Sequence, residues 1–314
     1  MGERINKYNK DIHTVGNMPT RVLIPKIQSY FMELSPTIKE ILKDEIEYNN
    51  LKNEILLHED EEELSVFAEI DTSQQIHIYE NYCSFLWAIC YSLIVMFEEG
   101  LVLPTNNNEF DGTVGSDTKN LEEAFELLNY GLSLKKEFTN WNHNLPNPEI
   151  YNENNKCYID KANSIYVAAK CFVIGHELGH QYFGHLTEEG KKDRGSEKYA
   201  NDELIADSFA LELLSKNALG NYINTHNVGC ICALGSIVLV NSNFDQGENY
   251  PDSKSRMKKL IEEMNIEDED NMIWGYAALI FCIWDSLYDM SSVNGKWSTL
   301  KELFYAVYNT VSDN

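Results

Sequence analysis

The chain has 314 residues, 43% of them hydrophobic, which is enough to bury a sizeable core. It carries 50 acidic against 25 basic side chains, a formal net charge of −25 at pH 7. That balance excludes direct nucleic-acid binding, which needs clustered Lys and Arg to neutralise phosphates.

The first 25 residues read as irregular, with Gly16, Pro19 and Pro25 as breakers. A helical pattern follows from Ile27 to about Leu57, with Ser35-Pro36 as a helix start. The charged run 58–63 (His-Glu-Asp-Glu-Glu-Glu) reads as a solvated turn rather than a metal site. Between Glu63 and Tyr79 the period changes to two. Leu64, Val66, Ala68 and Ile70 alternate with other residues, as do Ile76 and Ile78, predicting two strands with a tight connection. Their free edge could align an extended peptide by strand addition.

Glu80 to Glu99 predicts an apolar helix. Its uncharged stretch, Phe85 to Phe97, has the length of a core helix and is too short for a membrane span. Leu101–Asn120 and Thr139–Asp160 read as long loops on either side of a helix, Leu121–Phe138. An apolar helix-compatible run, Ser164–Leu186, comes next, then a polar link, Thr187–Asn201. Further helices are expected over Asp202–Leu219, Val228–Val240, Arg256–Met264, Met272–Met290 and Leu300–Val311, with a loop at Asn241–Ser255. The acidic run Glu267–Asp270 suits a helix N-terminus and lacks the spacing of a calcium loop. The expected class is α+β, predominantly helical, with a small sheet. Residues 1–62 read as a helical or irregular segment packed on a unit spanning 63–314, with one domain over 1–314 as the alternative.

The run Ser164–Leu186 contains His176-Glu177-Leu178-Gly179-His180, an H-E-x-x-H motif. On a helix His176 and His180 lie four residues apart on one face, where two neutral imidazoles can bind one Zn²⁺. Glu177 beside them can act as the base that takes a proton from water. A hydrolytic zinc site needs a third protein ligand. His185 is nearest, but the metzincin pattern places that His six residues after the second, not five. On a continuing helix five residues would turn His185 about 140° away from His180. Glu203, in Glu203-Leu204-Ile205-Ala206-Asp207, fits better. Glu203 and Asp207 share a helix face, so Glu203 can reach the metal while Asp207 accepts a hydrogen bond from a ligand His. Gly179 inside a helix costs about 1 kcal/mol relative to Ala. A close crossing with Ala206 and Ala210 would offset that cost. Tyr250 and Arg256 are candidates for stabilising the transition state, with Arg256 pairing a carboxylate as the structural alternative. His226 and His143 are lesser donor candidates.

The pairing of these two motifs resembles the gluzincin peptidases, and more closely the phage-exclusion (Lit-type) metallopeptidase family. The similarity runs from about Tyr79 to the C-terminus. It takes in the aromatic helix Tyr82–Phe97, the motif with its extra His185, the Glu203–Ala210 element, and Tyr250-Pro251 followed by Arg256. It does not reach the first 60 residues. The resemblance implies a zincin-like core and a cytoplasmic zinc endopeptidase that cuts elongation factor Tu of the host and blocks phage growth by abortive infection. His176, His180 and Glu203 would hold the metal, Glu177 would be the base, and His185 would act beside the ligands. A phage-encoded peptide as activator is compatible with the long loops. The scattered Cys residues and a polar first 13 residues also point to the cytosol, and no membrane partner is expected. Two rival functions are a zinc peptidase that cuts a transcriptional repressor and a non-catalytic zinc-stabilised interaction protein. The intact Glu177 argues against the latter.

Overall fold

The computed structural model describes residues 19–33, 40, 43, 55–58, 68–71, 73, 75–106, 118–142, 144–149, 155–187, 190, 196–215, 222–242, 244, 252–288 and 296–311. A 3₁₀ turn, Pro19–Leu23, leads into α1 (Ile24–Glu33). Pro25 stands in the first turn of α1, where a missing N–H costs nothing, so it opens the helix rather than preventing it.

Three short strands follow: β1 (Ile55–His58), β2 (Ala68–Ile70) and β3 (Ile76–Tyr79). The sheet order is β1-β3-β2. β2 and β3 form the expected antiparallel pair, in register Glu69 to His77, and β1 adds to β3 in parallel, Leu57 opposite Ile78. The helix expected up to Leu57 is therefore corrected over 55–57. Ile55, Leu56 and Leu57 join the sheet because β3 offers them a partner, which local periodicity does not show. The solvated turn expected at 58–63 is corrected at His58, which ends β1, and 59–63 lie outside the described residues.

α2 (Glu80–Val95) is buried along its whole length. Arg21 of the 3₁₀ turn forms a two-pronged ion pair with Glu80 at its start. The helix runs on through a π-helical turn, Met96–Val102, into Leu103–Asn106, so the loop expected from Leu101 begins later. α3 (Lys119–Ser133) starts on Thr118, whose hydroxyl accepts from the Leu121 amide. Then come α4 (Lys156–Tyr182), α5 (Ser196–Ser215), α6 (Ile223–Val240), α7 (Ser253–Glu263), α8 (Met272–Tyr288) and α9 (Leu300–Thr310). The architecture is α+β and mostly helical.

α4 is the central element. It is buried without a break from Ile165 to Gly175, so its whole circumference is covered there. α5, α6, α2 and α1 all pack on it, and β2 lies against it from the sheet side. Two helices, Glu80–Val102 and Ile223–Val240, are long and apolar enough to cross a membrane. Their most apolar windows are 83% and 78% buried inside the protein, which accounts for that apolarity as core.

Candidate active site

The site forms where α4 and α5 cross antiparallel. Gly179 faces Ala206 and Gly175 faces Ala210. A Cβ on Gly179 would lie 3.2 Å from Ala206 Cα and 3.1 Å from the Phe209 ring, so the crossing is as close as the small residues suggest. Gly175 extends the same contact one turn earlier, at 3.4 Å from Ala210.

This approach brings the two motifs together. His176 Nε2 and His180 Nε2 are 3.1 Å apart, Glu203 Oε2 is 3.4 Å from His176 Nε2, and Glu203 Oε1 is 3.2 Å from His180 Nε2. Donor atoms of all three lie within 4.8 Å of one another, and this is the grouping of its kind among the described residues. A tetrahedral ion with bonds of about 2.0–2.1 Å holds neighbouring donors about 3.3–3.4 Å apart. The two Nε2 atoms at 3.1 Å, and the two Glu203 oxygens at 3.4 and 3.2 Å from one imidazole each, lie close to that spacing, so the residues fit a metal ion.

The remaining ring nitrogens are occupied from behind. His176 Nδ1 lies 2.9 Å from Asp207 Oδ1. Arg256 grips both oxygens of Asp207, each at 2.8 Å, and its third nitrogen is 3.3 Å from Glu203 Oε2. Arg256 thus pairs carboxylates, the second of the two roles considered for it. Burial pushes the Asp207 carboxyl up, but the Arg256 charge and the His176 hydrogen bond outweigh it and hold the group below its ordinary range. Glu203 is held well below the carboxylate range in the same way, by hydrogen bonds to His176 and His180 acting against burial. Burial lowers the His176 imidazole, yet its bonds to Asp207 and Glu203 raise it to about 10 in the metal-free protein.

Glu177 is partly exposed beside this cluster. Burial is the main cause that lifts its carboxyl to about 7, and the negative Glu203 adds to it, while His176 and Arg256 pull the other way. Glu69 on β2 also acts on it. Among the described residues β2 is an edge strand of the sheet, and it packs on α4.

His185 does not turn away from His180, and the expectation that it would is corrected. α4 stops at Tyr182 instead of continuing. Gly184 adopts φ +72°, the His185 amide bonds back to the His180 carbonyl at 2.9 Å and the Gly184 amide to Gln181 at 3.1 Å. These two bonds and the left-handed glycine are a Schellman cap. The reversal returns the His185 ring to His180, Nδ1 to Nδ1 at 2.9 Å. Asp202, which the sequence reading passed over, stands 3.4 Å from His185 Nε2. Its signal was its place one residue before Glu203. His226 is engaged elsewhere, by Tyr30 and by the Leu214 carbonyl. Tyr250 and His143 lie outside the described residues.

Residues 76–277 match the family model described as Peptidase U49, more than half of the chain. The chain belongs to the peptidase U49 family. No curated protein and no solved structure matches it. The U49 match contains every site residue described here except Glu69, and it takes in both α4 and α5. The chain is accordingly a peptidase.

Proposed function

We propose that this U49 peptidase is a zinc-dependent endopeptidase of gluzincin type, built on a zincin-like core. The observation that carries the reading is the cluster of His176 and His180, their Nε2 atoms 3.1 Å apart, with one oxygen of Glu203 at 3.4 Å from the first and the other at 3.2 Å from the second, beside Glu177. Two imidazole nitrogens and one carboxylate oxygen form a donor set that suits Zn²⁺. A bound zinc would supply Lewis acidity, lowering the pKa of water and polarising the scissile carbonyl.

The chain's own residues do the rest. Glu177 takes a proton from the attacking water as the C–O bond forms, then delivers it to the amine nitrogen as the C–N bond breaks. A carboxyl lifted to about 7 can serve in both directions near neutral pH. Asp207 fixes the His176 ring so that Nε2 faces the ligand cluster. Arg256 neutralises Asp207 and steadies Glu203, which leaves its guanidinium committed to the scaffold. The outer edge of β2 offers backbone groups to an extended substrate.

The proposed substrate is a cytosolic host protein, by the Lit-type resemblance elongation factor Tu, cut during phage infection so that phage growth is blocked. The protein would act in the cytoplasm, with a phage-encoded peptide as its trigger. Metal analysis of purified wild type and Glu203→Ala tests the zinc reading. We expect about one zinc per wild-type chain, and loss of it from the variant at chelator strengths the wild type resists. Equal zinc retention in both would remove Glu203 from the ligand set.

A further inference from the structure

His185 and Asp202 have no task in the chemistry above, yet both are buried against it. We propose that they form a relay that fixes the tautomer and ring orientation of His180, so that its Nε2 presents a lone pair to the metal. The proposal rests on the metal reading given under Proposed function.

A carboxylate oxygen accepts, so the Asp202 oxygen 3.4 Å from His185 Nε2 favours the hydrogen on that nitrogen. In a neutral imidazole so arranged, Nδ1 is the acceptor. That acceptor lies 2.9 Å from His180 Nδ1, which must then carry its hydrogen there. With a metal bound, His180 Nε2 would then be the lone-pair nitrogen, on the side that faces His176 Nε2 at 3.1 Å and Glu203 Oε1 at 3.2 Å.

The two ligand imidazoles are therefore set by different means. His176 is held by a carboxylate directly, through Asp207. His180 is held by a carboxylate one ring removed. Two local features make the longer route possible. Gly184 reverses the chain at φ +72° and returns His185 to the turn it has just left. Asp202 is carried to the far side of that ring by α5, the helix that also supplies Glu203. His185 and Asp202 are positioning residues on this account, and His185 is not a ligand.

The test measures zinc affinity of the metal-free protein by competition with a chromophoric chelator. The variants are His185→Phe, His185→Gln, Asp202→Ala and the double variant His185→Phe/Asp202→Ala, with thermal unfolding of each metal-free form as the control for folding. Phe keeps the ring but cannot accept a hydrogen bond, whereas the Gln carbonyl can. We expect His185→Phe and Asp202→Ala each to weaken zinc binding by about 10–100-fold. The double variant should be no weaker than His185→Phe alone, because one relay is broken once, and His185→Gln should recover most of the loss. Asp202→Ala at wild-type affinity, or additive losses in the double variant, would overturn the relay. Loss of metal from His185→Phe and His185→Gln alike, with Asp202→Ala unaffected, would make His185 a ligand and also overturn it. If Asp202→Ala does not fold, the Phe and Gln variants decide the question between them. Wild type taking up no stoichiometric zinc would instead remove the metal reading itself.

Discussion

Gly179 on α4 lies directly against Ala206 on α5, with room for a hydrogen but not for a methyl group without displacement. Ala206 sits between Glu203 and Asp207 on its helix, so the separation of the two helices at this point sets the reach of both carboxylates. Gly179→Ala gains about 1 kcal/mol of helix propensity. It also forces Ala206 and Phe209 to give way by a few tenths of an ångström. The predicted outcome is a melting temperature close to wild type together with roughly tenfold weaker zinc binding, since misplaced ligands lose affinity before the fold is lost. Unchanged zinc affinity in a chelator titration would separate the close crossing from the site.

Arg256 is the counter-charge to two buried carboxylates. Removing one partner of a buried pair leaves the other uncompensated, at a cost of about 3–5 kcal/mol. Arg256→Gln should therefore lower the unfolding free energy of the metal-free protein by roughly 3 kcal/mol in a denaturant titration. A bound cation should restore part of this by supplying positive charge beside Glu203. A loss below about 0.5 kcal/mol, the scale of an exposed pair, would contradict this role.

Zinc uptake should release protons. His176 is raised to about 10 in the metal-free protein, so at pH 8 its imidazole holds a proton that ligation must displace. The sign follows for stability too. A folded pKa above the ordinary 6.5 means that the His176 pairing contributes fully below about 6.5 and that this contribution is lost as pH rises through about 10. Calorimetry in buffers of different ionisation enthalpy should report at least about one proton released per zinc, and the apparent affinity should climb about tenfold per pH unit between about 7 and 9. Binding that releases no proton would rule out the charged His176.

Much of this site could be read from the chain because it is written in helical spacing. His176 with His180, and Glu203 with Asp207, are each four residues apart, and Gly179 with Ala206 and Ala210 mark the crossing by their small size. What escaped depends on where a helix stops or on a partner distant in sequence. His185 would point away from His180 only if α4 continued, whereas Gly184 ends it, and a glycine just past the last apolar turn is a recognised stop signal. Asp202 gains its partner only through that reversal. β1 does not read as a strand because Ile55, Leu56 and Leu57 carry no alternation of their own. Its parallel pairing with β3 is formed across an intervening stretch of some twenty residues. The sequence predicts a helix only to Glu99 and a loop from Leu101, yet Pro104 stands in the first turn of a new helical segment where it is tolerated.

The central claim is that Glu177 moves the proton while His176, His180 and Glu203 hold the metal. Its most direct test is to express wild type and Glu177→Gln in a bacterial host, confirm equal zinc content, and compare newly formed protein N-termini across the proteome. The account predicts a dominant cut in a cytosolic host protein with wild type, expected in elongation factor Tu, and its reduction by at least about a hundredfold with Glu177→Gln. Cleavage by the variant at close to the wild-type rate, with its zinc in place, would contradict it.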